Sequence, residues 1–198
     1  MTLSPVTRAA PRCARPLDIA VLTVSDSRSL AEDSSGDLLR SRLLEQGHRN
    51  ADRRLVVDDI YLIRAEVSRW IADPAVQVVL ITGGTGFSGR DSTPEAVSVL
   101  FDKTVDGFGE LFRALSLEEI GPSPLQSRCV AGLANGTLVV CLPGSTNACR
   151  LAWDRILVEQ LDAAHRPCNF VSHLKGADRA CDSRETHKGG PAHVADAH

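Results

Sequence analysis

The residues best suited to chemistry are a run of glycines and a few carboxylates that follow short apolar stretches. The segment ITGGTGFSGRDSTPEAV, Ile81 to Val97, holds Gly83, Gly84, Thr85 and Gly86, then Arg90 and Asp91. Glycines offer bare backbone N–H groups to an anion, because no side chain blocks its approach. Ser25 with Asp26, Asp58 with Asp59, and Gly144 with Ser145 follow other apolar runs. A helix starting at Ser145 adds a second anion site. Carboxylates beside phosphates repel them unless a cation lies between. Asp58 and Asp91 near such loops therefore imply Mg2+, which binds through one or two carboxylates plus substrate phosphates. The chemistry indicated is metal-assisted handling of phosphate-bearing substrates. Each piece also has a plain reading. The glycines could form a tight strand-to-helix turn. Ser145 and Asp91 could cap helices, and Asp58 and Asp59 could be solvated loop acids. Their joint placement favours function.

Several other chemistries are excluded. GTGFSGRD, residues 84–91, nearly spells a P-loop, but Arg90 stands at the lysine position and Asp91 at the hydroxyl position. A dinucleotide fingerprint would open the first strand–helix unit, where no glycine triplet occurs. No G-x-S-x-G nucleophile elbow is present. Cys13, Cys129, Cys141, Cys149, Cys168 and Cys181 form no Cys-x-x-Cys pair and read as thiols in a reducing compartment. A net charge of −3 and 4 % aromatics argue against a nucleic-acid partner. No apolar stretch reaches the roughly 20 residues that span a membrane, and the N-terminus lacks the apolar core of a secretory signal. The expected location is the cytoplasm.

These residues need elements to position them. The 198 residues, 43 % of them hydrophobic, suit a single domain with a proper core. Strands are expected at 17–24, 53–59, 76–82 and 136–143. Helices are expected at 34–47, 60–71, from Pro94 to about Phe101, at 108–121 and at 145–162. Asp33 or Ser34 would cap the first helix and Gly47 would end it. This order implies a three-layer α/β domain: a mostly parallel sheet with helices on both faces. Ligands of such folds gather at the carboxyl ends of the strands, which is where the four polar loops lie. Residues 1–16 read as a mobile arm. Residues 175–198 read as a disordered tail whose His187, His193 and His198 lack metal-ligand spacing. The domain proper is 17–174.

In order along the chain, TGGTG, Asp91 with TPEA, GFGELFRALSLEEIG, LPGSTNACRLAWDRIL and LDAAHRPCNFVSHL resemble the MoaB/MogA family of molybdenum-cofactor biosynthesis proteins, on its MoaB side. The resemblance runs from about Asp18 to Leu174. It implies an α/β fold, molybdopterin as ligand, and adenylyl transfer: molybdopterin and Mg-ATP give adenylyl-molybdopterin and pyrophosphate. It also implies a trimer or hexamer, and a molybdenum-insertion protein as a further partner. By that resemblance Gly83, Gly84, Thr85 and Gly86 cradle phosphate and pterin, and Asp91 assists through Mg2+. Asp58 orients the substrate phosphate, Ser25 and Asp26 belong to the first loop, and Gly144 and Ser145 hold the pterin. Val57 stands where active members commonly have proline, and Phe87 where MogA has proline. A molybdopterin-binding scaffold without catalysis is the alternative.

Overall fold

The structure is a computed structural model that describes residues 13–177. Residues 1–12 of the expected arm, and the expected tail from residue 178 with its three histidines, lie outside the described residues. Six strands form one sheet: β1 (Asp18–Val24), β2 (Arg49–Val56), β3 (Val78–Thr82), β4 (Lys103–Thr104), β5 (Val130–Ala134) and β6 (Thr137–Leu142). Their spatial order is β2-β1-β3-β6-β5-β4. The first four are mutually parallel, and β5 and β4 continue the sheet antiparallel. The sheet is thus mostly parallel, as the alternation of elements implied.

The helices are α1 (Ser34–Gln46), α2 (Ile60–Ala72), α3 (Thr93–Ser98), α4 (Asp106–Ile120) and α5 (Thr146–Ala152). The last runs on through a π-helical stretch, Trp153–Leu157, into a final turn, α6 (Val158–Gln160). Strand side chains alternate between two cores, as pleating requires. Ile19, Val21, Leu80 and Val140 pack with Leu39 and Leu43 of α1, Phe108 and Phe112 of α4, and Ala152 of α5. Leu22, Val79, Ile81 and Val139 pack on the other face with Ile63, Val67 and Trp70 of α2 and with Val97 of α3. A strand covered on both faces is apolar at nearly every position. That is why β1, β3 and β6 stand out in the sequence. Full burial of each such Leu, Ile or Val favours the fold by about 1.5–3 kcal/mol.

The strand expected at 53–59 runs instead from Arg49 to Val56. It is the sheet's edge, with alternately exposed and half-buried residues, so its opening RNAD is as polar as a loop. Asp58 and Asp59 lie beyond its end. The β5–β6 hairpin was not expected. Asn135 and Gly136 form its two-residue loop, with Ala134 opposite Thr137. Both have positive φ, 48° and 71°, the mark of a primed turn for which Asn-Gly is the favoured pair. Asp33, rather than Ser34, caps α1 by accepting from the Gly36 N–H at 2.9 Å. Gly47 ends the helix at φ 96°. Residues on either side of the expected 17–174 body also pack against it. Cys13 is buried and its N–H donates to Gln46 O at 2.9 Å. The Lys175 N–H donates to Gly136 O at 2.8 Å, and its ammonium donates to Asp73 O at 2.9 Å. Among the described residues no helix is long and apolar enough to cross a membrane.

Candidate functional site

The chain runs from β1 outward to β2, then returns to place β3 on the other side of β1. The reversal leaves a crevice at the carboxyl ends of β1 and β3, the position where open α/β sheets bind ligands. A cavity of about 420 Å³ lies there. It is lined from the β1 loop by Ser25, Asp26 and Arg28, and from the β2 loop by Asp58. Gly83, Gly84, Thr85, Gly86 and Asp91 line it from the β3 loop, and Gly144 and Ser145 from the β6 loop. Ten of the residues singled out in the sequence meet in this one cavity, and Asp59 does not line it.

The glycines are there for geometric reasons. Gly83 has φ 102°, and a Cβ on it would strike Val24 O of the neighbouring strand. Gly84 has φ 62°, and a Cβ there would lie 2.6 Å from Asp58 Oδ2 and would strike Thr93 Oγ1. Side chains at these positions would also be strained, since only glycine adopts such φ freely. A Cβ at Gly144 would press to 3.3 Å from Gly83 Cα. The β3 and β6 loops thus approach backbone to backbone, and the floor of the cavity is main chain.

Three carboxylates, Asp26, Asp58 and Asp91, stand on one side. Asp58 Oδ1 accepts from the Ser92 hydroxyl at 2.9 Å and the Ser92 N–H at 3.2 Å, and the Asp58 N–H donates to Asp26 Oδ1 at 3.0 Å. Burial pushes the Asp58 pKa above its ordinary value. The charges of Asp91 and Asp26 push the same way, against the Ser92 hydrogen bonds. Asp91 is moved in the opposite direction. Hydrogen bonding from Ser88, whose N–H lies 2.8 Å from Oδ2, together with the Arg128 charge outweighs burial and lowers its pKa. The two acids face one site with their affinities for protons set apart, a pattern typical of functional carboxylates. Asp91 and Asp58 supply hard oxygen donors, but no group of three or more His, Cys, Asp or Glu among the described residues is placed to hold a metal ion.

The plain readings divide. Ser145 does cap α5, accepting from the Ala148 N–H at 3.2 Å, and lines the cavity as well. Asp59 is a helix cap, accepting from the Tyr61 and Leu62 N–H groups at 2.9 and 3.0 Å. Asp91 is not a cap; its carboxylate closes the turn with Ser88. Two arginines escaped the sequence reading. Arg28 lines the cavity and donates to Gly144 O at 3.3 Å. Arg128 reaches from just before β5 and donates to Thr85 O at 3.2 Å and to Asp91 O at 2.8 Å. It also pairs with Glu95 and lies 5.2 Å from the Phe87 ring centroid. Arg28 lies two residues beyond Asp26 in the loop after the first apolar run, and its charge was the available signal. Arg128 had none, because its role depends on a hairpin that was not expected.

A family model described as "Probable molybdopterin binding domain" matches residues 20–163, so the chain carries a domain of that class. The chain is 58 % identical over 160 residues to Molybdenum cofactor biosynthesis protein B of Escherichia coli K12, covering 81 % of this chain and 94 % of that one. A crystal structure of a Molybdenum cofactor biosynthesis protein B superposes with a TM-score of 0.73 at 41 % identity, covering 77 % of this chain and 93 % of that one. The tungsten cofactor synthesizing protein MoaB from Pyrococcus furiosus does so with a TM-score of 0.66 at 35 % identity, covering 73 % and 92 %. The chain belongs to the MoaB/MogA family of molybdenum cofactor biosynthesis proteins, on its MoaB side.

Proposed function

We propose that this protein binds molybdopterin and adenylylates it with Mg-ATP, releasing pyrophosphate. The observation that carries the reading is the meeting, in one cavity at the sheet's switch point, of a main-chain glycine floor with Asp58 and Asp91. A phosphate oxygen of molybdopterin attacks the α-phosphorus of ATP; the new P–O bond forms as the bond to pyrophosphate breaks. Transfers of this kind depend on positioning and charge neutralisation, so no covalent nucleophile is required. The glycine floor accepts phosphate oxygens close to the backbone. Ser145, Gly144, Ser25 and Asp26 border the pterin. The donor set suits Mg2+ completed by substrate phosphates. Asp91, kept ionised, is its principal ligand, with Asp58 Oδ2, which accepts no hydrogen bond among the described residues, beside it. When bound, Mg2+ neutralises phosphate charge.

A second reading, a molybdopterin-binding scaffold without catalysis, draws support from Val57, which stands where active family members commonly have proline. An anaerobic assay with molybdopterin and Mg-ATP separates the two, with adenylylated product read by mass and pyrophosphate by coupled release. Asp91→Asn should lower turnover about a hundredfold or more with molybdopterin binding retained. Normal turnover in that variant would sink the assigned role of Asp91. Tight binding without product in the unaltered protein would favour the scaffold. Exposed Leu111, Leu117 and Ile120 of α4, with Leu125, support self-association into a trimer or hexamer. Cytoplasmic placement and a molybdenum-inserting partner follow from the same proposed role.

A further inference from the structure

The cavity has a second polarity that the carboxylates do not explain. Two guanidinium groups border it, and they differ. Arg90 is paired: it stands 3.2 Å from Asp26 Oδ1 and donates to Asp58 O at 3.5 Å. Arg28 makes no ion pair among the described residues. Its Nη1 donates only to two neutral oxygens, Gly144 O at 3.3 Å and Ser35 Oγ at 3.4 Å, and its Nη2 and Nε donate to none of the described residues. A guanidinium carries five N–H donors in a planar fork, so most of this one's donors face the cavity and solvent unused. Its backbone is nonetheless held. The Arg28 N–H donates to Ser25 Oγ at 3.2 Å, closing the turn that carries the side chain from β1 to the edge of the β6 loop. The fixed base and the uncommitted head are those of a residue waiting for an anion.

We infer that Arg28 is a metal-free phosphate anchor, binding a substrate phosphate directly at the Gly144 end of the cavity. The inference rests on the reading that the cavity takes phosphate-bearing substrates, and it assigns the two ends different chemistry. At the Asp58 and Asp91 end a phosphate needs a cation between itself and the acids. At the Arg28 end it needs none, because the oxygens that the Arg28 guanidinium reaches there are a carbonyl and a hydroxyl, both neutral. A planar fork suits two phosphate oxygens at once. The phosphate could be the monophosphate of the pterin or the distal phosphates of the nucleotide; both are the same chemistry to Arg28.

The test separates metal-free binding from turnover. Binding of inorganic pyrophosphate to the full chain is measured by calorimetry with EDTA present, for the unaltered protein, Arg28→Gln, Arg28→Lys and a control, Arg150→Gln. Arg150 is an exposed α5 arginine bonded to Asn147 and outside the cavity, so it reports the loss of one surface charge. Affinity should fall about tenfold in Arg28→Gln, by less in Arg28→Lys, which keeps charge without the fork, and within twofold of unaltered in Arg150→Gln. Equal affinity in Arg28→Gln and the unaltered protein, or an equal loss in Arg150→Gln, overturns the anchor. Should Arg28→Gln fail to fold, Arg28→Lys alone must still show a measurable loss. The source of the phosphate is then read from which affinity falls, that for molybdopterin or that for ATP. These outcomes do not depend on catalysis, so an unaltered protein that binds pyrophosphate but makes no product would fail the transferase reading and leave the anchor standing.

Discussion

At the scale of single residues, the cavity sets two carboxylates apart. Asp58 is crowded by burial and by neighbouring acids, and is relieved only by Ser92. Removing the Ser92 hydroxyl takes away a hydrogen bond that favours the carboxylate, so its pKa should climb further. If Asp58 acts in its ionised form, the acid limb of the activity profile moves to higher pH in Ser92→Ala. A profile of turnover against pH, recorded on both proteins, checks this. An unmoved limb would mean that Asp58 does not govern it.

At the scale of elements, the glycine-bearing loop after β3 depends on a strand from the other end of the sheet. Arg128, just ahead of β5, holds the carbonyls of Thr85 and Asp91 and packs over Phe87. It thereby ties down both ends of the loop that carries Gly86 and Asp91. Arg128→Met keeps the apolar stem but removes these donors. Amide hydrogen exchange across residues 85–92 should speed up by about tenfold, while exchange in β1 and β3 is unchanged. Uniform acceleration through the sheet would instead indicate loss of global stability. The neighbouring loop, after β1, is held in a different way. Asp33, fully buried, accepts from Thr23 Oγ1 at 2.6 Å and pairs with Arg53 at 2.9 Å, which joins α1, β1 and β2 beneath the rim.

At the scale of the whole molecule, one buried histidine couples the fold to pH. His48 follows α1, and its Nδ1 accepts from the Leu17 N–H at 3.2 Å. It lies edge-on to Trp153, with ring centroids 6.3 Å apart. Burial lowers its pKa from 6.5 to about 4. The folded chain therefore holds fewer protons than the unfolded chain between these values, and stability falls as pH drops from about 6.5 to about 4. The loss from this residue is on the order of 3 kcal/mol. His48→Asn keeps an acceptor for the Leu17 N–H and has nothing to protonate, so it should flatten the slope in that window. Urea unfolding at a series of pH values measures it. Asp52, whose own burial is outweighed by hydrogen bonds from Arg69, Arg53, Arg54 and Trp70 that hold it at about 2, and Asp33 add their losses only at lower pH, below the ordinary carboxylate range.

Much of this was legible in the chain before folding. β1, β3 and β6 are apolar apart from Asp18, Thr23, Thr82 and Thr137, because both faces are covered. Local composition alone therefore located them, and with them three of the four loops that line the cavity. The glycines, Asp58 and Asp91 could be picked out because their conformations and charges are local properties. The limits of β2 were hidden because an edge strand needs no apolar pattern. The β4 and β5 strands went unseen although Asn135-Gly136 marked the turn from β5 into β6, and with them went Arg128. Whether Ser145 and Asp91 were caps or site residues, and Asp59 a solvated acid or a site residue, could not be settled from spacing, since each type serves both ends equally well. Only the tertiary structure separated Asp59 as a cap from Asp91 as a loop carboxylate, paired Arg90 and left Arg28 uncommitted. These are matters of which charges lie within a few ångströms of one another, and residues 28, 91 and 144 come to line one cavity only when parallel strands bring their ends together.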